Sequence, residues 1–557
     1  MIVDEVHEPE QLTAARATRA RQTARAGRVA RAVTNEGAPL LMVGVAMAIY
    51  VGVFGWLTWQ QQRHYGTFGF DMGIHDQGIW LLSRFKTPYV TVVGRNYLGH
   101  HLNLVAFLYV PFYWLGAGPK FLYFTETLAL AFGAVPVYLL ARDQLHQRWL
   151  GTAFATAYLL HPTLEWINWW HFHPDALMVT PLLFAWWFAT KQQWRGFAIC
   201  CFLAMFAKED ATTAVIMIGL ILTIRLWKTN RRVGLVTMAG GLAWFLVATK
   251  LLMPHFNHGE PAFYEDFFPG LGNGLGTIVR NAITHPSRLY DPLLGRSTST
   301  GIRHGPVLDA FRTDVYRYYL RLLIPMSVLA LRKPLLLLIG APMLVINVLS
   351  SLSYTHDAKF HYSSIIIVAI VLATIEGCKA FGDRRSAYRW LTVAVVVVFA
   401  LVANVWWSPS PLDSGTYHSG IWVRPFSTPE PLRTPALDHM VALVPSNAGV
   451  SATYSLVPHV THRVTAYEFP NPWWVTNWLD CGTSPQPNRV NTLLIDTVVL
   501  DSLTNPIFGL SPKELFERLT DPADGEFSVI AMEAGVVVAQ RVRPPALTFD
   551  SPRPKCK

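Results

Sequence analysis

PLLMVGVAMAIYVGVFGWLTW (Pro39–Trp59) is an uncharged run, and FDMGIHDQ (Phe70–Gln77) follows it after a short polar stretch. The run has the roughly 20 apolar residues that a helix needs to cross a bilayer core. It lacks a small-residue cleavage site and so reads as a retained signal-anchor span. Ahead of it, acidic Asp4–Glu10 gives way to Arg16, Arg19, Arg21, Arg25, Arg28 and Arg31. A basic arm before the first span places residues 1–38 in the cytosol, as a helix lying on anionic lipid. FDMGIHDQ then opens on the outer face.

The rest of the chain repeats this alternation. Its 557 residues are 52% hydrophobic and only 15% charged, the composition of an integral membrane protein. Its 20 Trp suit interfacial belts. The net charge of +10 lies largely in the arm and short loops, which is positive-inside topology rather than the signature of a nucleic-acid partner. Apolar runs at 39–59, 121–141, 150–162, 176–190, 196–207, 211–226, 233–253, 319–331, 334–350, 363–378 and 390–407 predict about eleven spans. Between them, Arg142 and Arg148, Lys191 and Arg195, Arg225 to Arg232, Arg332–Lys333, and Lys379 to Arg389 all fall on the inner side. Three runs (150–162, 196–207, 319–331) are short for a straight crossing, so flanking polar residues extend them or the membrane thins there. Leu104–Leu115, ended by Gly116-Ala117-Gly118-Pro119, reads as a helix lying at the outer interface.

The expected organisation is a cytosolic arm (1–38), a transmembrane domain (39–407) with long outer loops 60–120 and 254–318, and an extracytoplasmic α/β domain (408–557). In the last part the apolar runs shrink to strand length: Gly449–Tyr454, Arg463–Phe469, Thr492–Leu500, Phe527–Met532 and Val536–Arg541. Ser511-Pro512-Lys513-Glu514 is a capping box with Pro at the first helical position. Glu533-Ala534-Gly535 reads as a hairpin turn, and no catalytic motif stands out in this part. Of five cysteines, Cys481 and Cys556 fall outside the membrane, as a disulfide or as two free thiols.

The motifs that carry chemistry collect on the outer side. Asp71 and Asp76 can serve as base and orienter, with His75 and Gln77 beside them; Asp71 can equally cap a juxtamembrane helix. Arg95, His100 and His101 follow in the same loop. His171, His173 and Asp175 alternate as metal ligands do on an extended segment, although hydrogen bonding or phosphate contact is the favoured use. Lys208, Glu209 and Asp210 sit at a tight turn between apolar spans, where ionisable groups are paired or used. Lys208 can meet a phosphate, while Asp210 can simply cap the next span. Lys359, His361 and Tyr362 precede the run at 363, where a lysine also snorkels routinely. Glu126 is a further ionisable residue inside a span. No Walker loop, dinucleotide fingerprint or GxSxG elbow occurs, which leaves ATP-driven transport and serine hydrolysis without support.

FDMGIHDQGIW, GHHLNLVAFLYVPFYWL, HFHPD, FAKED, APMLVINVLSS with FHY, and VPSNAGVSATYSLVPHVTHR occur in that order. In this they resemble a prokaryotic polytopic family, known mainly as predicted membrane proteins of unknown function, over residues 40 to 545. That family in turn resembles the GT-C glycosyltransferases, which use polyprenyl-phosphate sugars. The resemblance implies a GT-C-like helical membrane fold and an inverting transfer of sugar from a polyprenyl-phosphate donor to an envelope glycan, lipid or protein at the outer face. It implies that Asp71, and second to it Asp76, is the catalytic base. Substrate contacts would come from His75, Gln77, Arg95, His100, His101, His171, His173, Lys208, Glu209, Asp210, Lys359, His361 and Tyr362. Asp71 is followed by Met72 where many such enzymes carry a second carboxylate, which leaves the choice of base and any divalent cation open. The alternative is a non-enzymatic transporter or scaffold for lipid-linked precursors. An alternating-access transporter predicts midplane ionisable groups and internal repeats, and the polar residues here gather at one face instead.

Overall fold

A computed structural model describes residues 37–259, 267–268, 270–272, 275–295, 315–382, 386–412, 432–476, 478–479, 484–502 and 511–546. Nearly all of the basic arm, part of the 254–318 loop, and both Cys481 and Cys556 lie outside the described residues.

Among the described residues five helices are long and apolar enough to cross a membrane: Gly37–Arg63, Pro119–Leu145, Arg231–Phe256, His361–Ala380 and Ala387–Trp407. Shorter apolar helices, Trp194–Ala207 and Ala211–Arg225, form a hairpin about the Lys208 turn. Arg148–Leu159 and Pro174–Thr190 occupy two further expected runs. The run at 319–331 is not one helix. Val315–Leu323 ends in two short 3-10 turns, Ile324–Met326 and Leu329–Arg332, with Ser327 and Val328 at φ 56° and 53°. The run at 334–350 likewise splits into Pro334–Leu337 and Ala341–Leu349. Prolines 325, 334 and 342 each lack the N–H that would continue a helical ladder; the apolar count that predicted these spans carries no such information.

Burial sorts the long helices. The apolar window of His361–Ala380 is 89% buried, against 17% for Arg231–Phe256 and 22% for Gly37–Arg63. A helix apolar on all sides can be central or lipid-facing, and here the Ile- and Ala-rich 364–375 stretch is central. Arg231–Phe256 packs on Ala211–Arg225 through glycines. A Cβ on Gly234 would lie 2.3 Å from the Thr223 backbone nitrogen, and one on Gly219 2.7 Å from that of Met238. Such close backbone approach holds membrane helices together where solvent exclusion cannot. Gly234→Ala should therefore cost about 1–3 kcal/mol, read as a lower Tm in detergent. Gly240→Ala, on the same helix with nothing within 4 Å, should leave Tm unchanged.

Ala106–Trp114 forms the expected short helix; it buries Tyr109 and Tyr113 and exposes Phe107, Leu108, Phe112 and Trp114. Before it, an unanticipated hairpin pairs β1 (Tyr89–Val90) with β2 (Arg95–Asn96). The C-terminal part forms a five-stranded sheet from β3 (Val450–Ala452), β4 (Ala466–Glu468), β5 (Thr492–Asp496), β6 (Phe527–Glu533) and β7 (Val536–Arg541), in the order β4-β3-β5-β7-β6. Strand β3 runs parallel to β4 and β5, and the β6–β7 hairpin is antiparallel. All five strands fall on the apolar runs read from the sequence. The hairpin turns at Ala534 and Gly535, both at positive φ (47° and 81°), the conformation that a two-residue turn demands. The Ser511–Glu514 capping box is formed.

The sheet region is not hung loosely from the last helix. Leu437, Met440, Val450, Leu456, Val457 and Val538 share one buried cluster with Tyr65, Met72, Ile74, Val92, Tyr97 and Tyr113 of the first loop. Thr91 Oγ1 donates to the Ala466 carbonyl and accepts from the Ala466 N–H, each at 2.8 Å. The Gly69 N–H donates to the Tyr454 carbonyl at 2.9 Å.

Candidate functional site

Asp71 lies in a single π-helical turn, Gly69–Gly73, that leads into the helix Ile74–Ser83. The N-caps of this turn and of the helix are Phe68 and Gly73, so the capping role left open by its sequence position is not taken up. Its carboxylate is 26% exposed and sits 3.7 Å from His173 Nε2, an electrostatic contact too long for a hydrogen bond. Burial pushes the Asp71 carboxyl up, and the facing His173 outweighs it and holds the group below its ordinary value.

HFHPD supplies that ring and a second, His171. His171 carries φ 114°, a strained conformation for a side-chain-bearing residue. Its Nδ1 meets the Tyr123 hydroxyl at 2.8 Å while Nε2 is buried with no partner. Burial lowers its pKa to about 3, and burial likewise holds His75 well below its ordinary value. Both rings are therefore neutral near pH 7 and can donate or accept hydrogen bonds. His75 Nδ1 lies 2.9 Å from the Tyr97 hydroxyl. His173 stacks on His361 with ring centroids 3.6 Å apart, and His361 touches the Tyr362 ring. Asp71 and His75, His171 and His173, and His361 and Tyr362 come from three separate segments of the sequence, and folding gathers them into one cluster.

Lys208 lies nearby but is not free to meet an anion. Its Nζ is 3.0 Å from both oxygens of Asp175 and 3.0 Å from Asp210 Oδ2, with only 4% of the side chain exposed. Asp210 flanks the next helix without forming a side-chain cap. Glu209 receives His101 Nδ1 at 2.6 Å and the Leu102 N–H at 3.0 Å, tying the first loop to this turn. His171, His173 and Asp175 do not converge as a ligand set, since Asp175 belongs to Lys208. Among the described residues no three His, Cys, Asp or Glu side chains are gathered as a metal site.

Asp76, Gln77, Arg95 and His100 have surroundings of their own, and Lys359 lies two residues before His361. Asp76 is fully buried and accepts from the hydroxyls of Tyr113 (2.7 Å) and Thr461, with His462 Nε2 at 3.2 Å. It faces a cleft of about 410 Å³ whose lining includes Arg63, Lys120, Asp438 and His462. Gln77 is a clamp: its amide accepts the Thr91 N–H at 2.9 Å and donates to the Arg463 carbonyl at 3.2 Å. Arg95 is buried and donates to the Leu479 carbonyl at 3.2 Å, lining a separate cavity of about 180 Å³ with His255 and Asn257. The His100 ring lies 4.8 Å from that of His101. Lys359 has its Nζ 5.3 Å from the Trp166 ring centroid. Burial lowers its pKa to about 8, against the pull of Asp357.

Sequence reading missed Glu468, at the end of β4. A Cβ at Gly69 would lie 2.7 Å from its Oε2, an oxygen that is buried and unpartnered. Burial, then the Asp71 charge, raises its pKa to about 7, with the Phe70 backbone opposing. The signal was a lone carboxylate in the strand-length run RVTAYEF.

The chain belongs to the family described as predicted membrane protein (DUF2079), whose signature matches residues 65–538. Among solved structures it is similar to ArnT from Cupriavidus metallidurans bound to undecaprenyl phosphate, at 12% identity and TM-score 0.49, over 92% of this chain and 99% of that one. It is also similar to the archaeal oligosaccharyltransferase AglB from Archaeoglobus fulgidus in complex with an inhibitory peptide and a dolichol-phosphate, at 13% identity and TM-score 0.40, over 82% and 69% of the two chains. No curated protein matches it.

Proposed function

We propose that this membrane protein is an inverting glycosyltransferase of GT-C type, which moves a sugar from a polyprenyl-phosphate carrier to an envelope acceptor. One observation carries the reading. Asp71, partly open and held ionised, stands among buried imidazoles, of which His171 and His361 each keep a ring nitrogen with no hydrogen-bond partner. A carboxylate base and a wall of neutral donors and acceptors suit a polyhydroxyl substrate. Asp71 takes the acceptor's hydroxyl proton as that oxygen attacks the anomeric carbon. The bond from that carbon to the phosphate oxygen breaks, and polyprenyl phosphate leaves. About eleven crossings with residues 1–38 inside and 408–557 outside would put this chemistry at the outer face.

The leaving phosphate needs a cation, and we assign that role to Lys359, which lies two residues before His361 of the cluster. With a pKa of about 8, Lys359 is mostly charged at pH 7 and loses its proton as pH rises through 8. Donor affinity should fall between pH 7 and 9, and Lys359→Arg, which stays charged, should remove that fall; titration calorimetry reads both.

The deciding experiment incubates detergent-purified protein with a panel of radiolabelled polyprenyl-phosphate sugars and an envelope extract. Transfer by the wild type and none by Asp71→Asn supports the reading. Donor binding without transfer by either protein would overturn it in favour of a scaffold or transporter.

A further inference from the structure

We infer that Glu468, contributed by the C-terminal sheet, is a positioning residue that acts through Asp71 and receives the proton that Asp71 takes from the acceptor. The inference rests on the proposed transfer at Asp71. It begins from a carboxyl whose Oε2 is buried without a hydrogen-bond partner. Strand β4 is otherwise apolar in its packing, with Ala466 and Tyr467 buried. Its last residue nonetheless turns a carboxyl inward against the turn that carries Asp71.

The contact is close enough to restrict the neighbouring residue. At Gly69 any side chain would meet Glu468 Oε2 at 2.7 Å and Val457 at 2.9 Å. The same turn is anchored to the sheet region by the Gly69 N–H to Tyr454. A buried carboxyl oxygen with no hydrogen-bond partner is costly when the group serves only packing. A leucine there would fill the space without that cost.

Proton flow gives the carboxyl a use. Burial and the Asp71 charge hold Glu468 near pKa 7, while Asp71 itself is held below the ordinary carboxylate value. A proton on Asp71 therefore moves downhill to ionised Glu468, directly or across one water. Asp71 returns to its carboxylate form, and the proton leaves later to solvent. No other co-reactant is needed: one O–H bond breaks at Asp71 and one forms at Glu468. The arrangement also makes the C-terminal region part of the reacting centre.

The relay works only when Glu468 starts ionised, so wild-type kcat should rise as pH passes through about 7. Glu468→Gln keeps the size and the Phe70 contact, and should lose that rise and about 10²-fold in kcat. Glu468→Asp should retain a rise at a shifted pH. An unchanged inflection in Glu468→Gln overturns the inference, even while Asp71→Asn remains inactive. A second measurement needs no turnover: infrared titration of the protonated-carboxyl band in wild type and Asp71→Asn. A band titrating near pH 7 that moves to lower pH in Asp71→Asn supports the coupling, and its absence, or its persistence unchanged in that variant, overturns it. Wild type that shows the coupled band but transfers no sugar overturns the proposed function and leaves the carboxyl pair standing.

Discussion

Asp71→Asn is expected to lower turnover by about 10²–10⁴-fold, the usual contribution of a positioned general base. The amide keeps the shape and loses both the proton-accepting lone pair and the charge. Folding should survive, because the native carboxylate is 26% exposed, stands at no N-cap and only faces His173 across 3.7 Å. A change in stability within about 0.5 kcal/mol is expected for such a site. Asp76→Asn makes the contrast. That carboxylate is fully buried and holds Tyr113, Thr461 and His462. Burial opposes a charged His462 ring, but Asp76 outweighs it and lifts the imidazole above its ordinary value. Asp76→Asn should therefore lower Tm and free His462 while turnover per folded molecule falls less. The opposite pattern, an inactive but stable Asp76→Asn and an active Asp71→Asn, would reassign the base.

These two aspartates mark how far sequence reading reached. Five residues apart, they look like a pair in the chain. The turn at Gly69–Gly73 and the helix after it send one toward the imidazole cluster and the other toward the cleft near Arg63 and Lys120. Nothing in local spacing encodes a π turn, which is set here by contacts from Tyr454 and Glu468 nearly four hundred positions later. The helical runs were legible because hydropathy is a local property, and the five strands because their apolar lengths and turn residues are local too. Where proline interrupts an apolar run, as at 325 and 342, hydropathy overcounted continuous helix.

Partner choice was the least legible property. Lys208, Glu209 and Asp210 read as one motif, yet Glu209 serves His101 and Leu102 while Lys208 serves Asp175. Gln77, read as a substrate contact, holds the first loop to Arg463. In a low-dielectric surround each polar group must find a partner, and long-range topology decides which one. Residue type therefore pointed to members of the polar cluster, and its internal pairings emerged only in three dimensions.

Lys208→Met carries the largest expected effect on stability. Both Lys208 and Asp175 are nearly inaccessible, at 4% and 2% of their side-chain surface, and Nζ bonds both carboxylate oxygens at 3.0 Å. Removing one member of a buried pair leaves the other charged without compensation, which costs about 3–5 kcal/mol. Asp210, a quarter exposed, can turn to water and should contribute little to that loss. The double variant Lys208→Met with Asp175→Leu removes both buried charges and should recover most of the stability, since an apolar replacement of a whole pair is often neutral. Burial lowers the Lys208 pKa, but Asp175, Asp210 and Glu209 outweigh it, so the folded value lies above the unfolded one. Its contribution is then constant through the neutral range and fades only as pH rises past about 10.5. Unfolding in detergent between pH 6 and 9 should show a pH-independent deficit for the single variant. A single variant as stable as wild type would mean that the ammonium and Asp175 do not depend on one another, and Lys208 would return as a candidate for the donor phosphate.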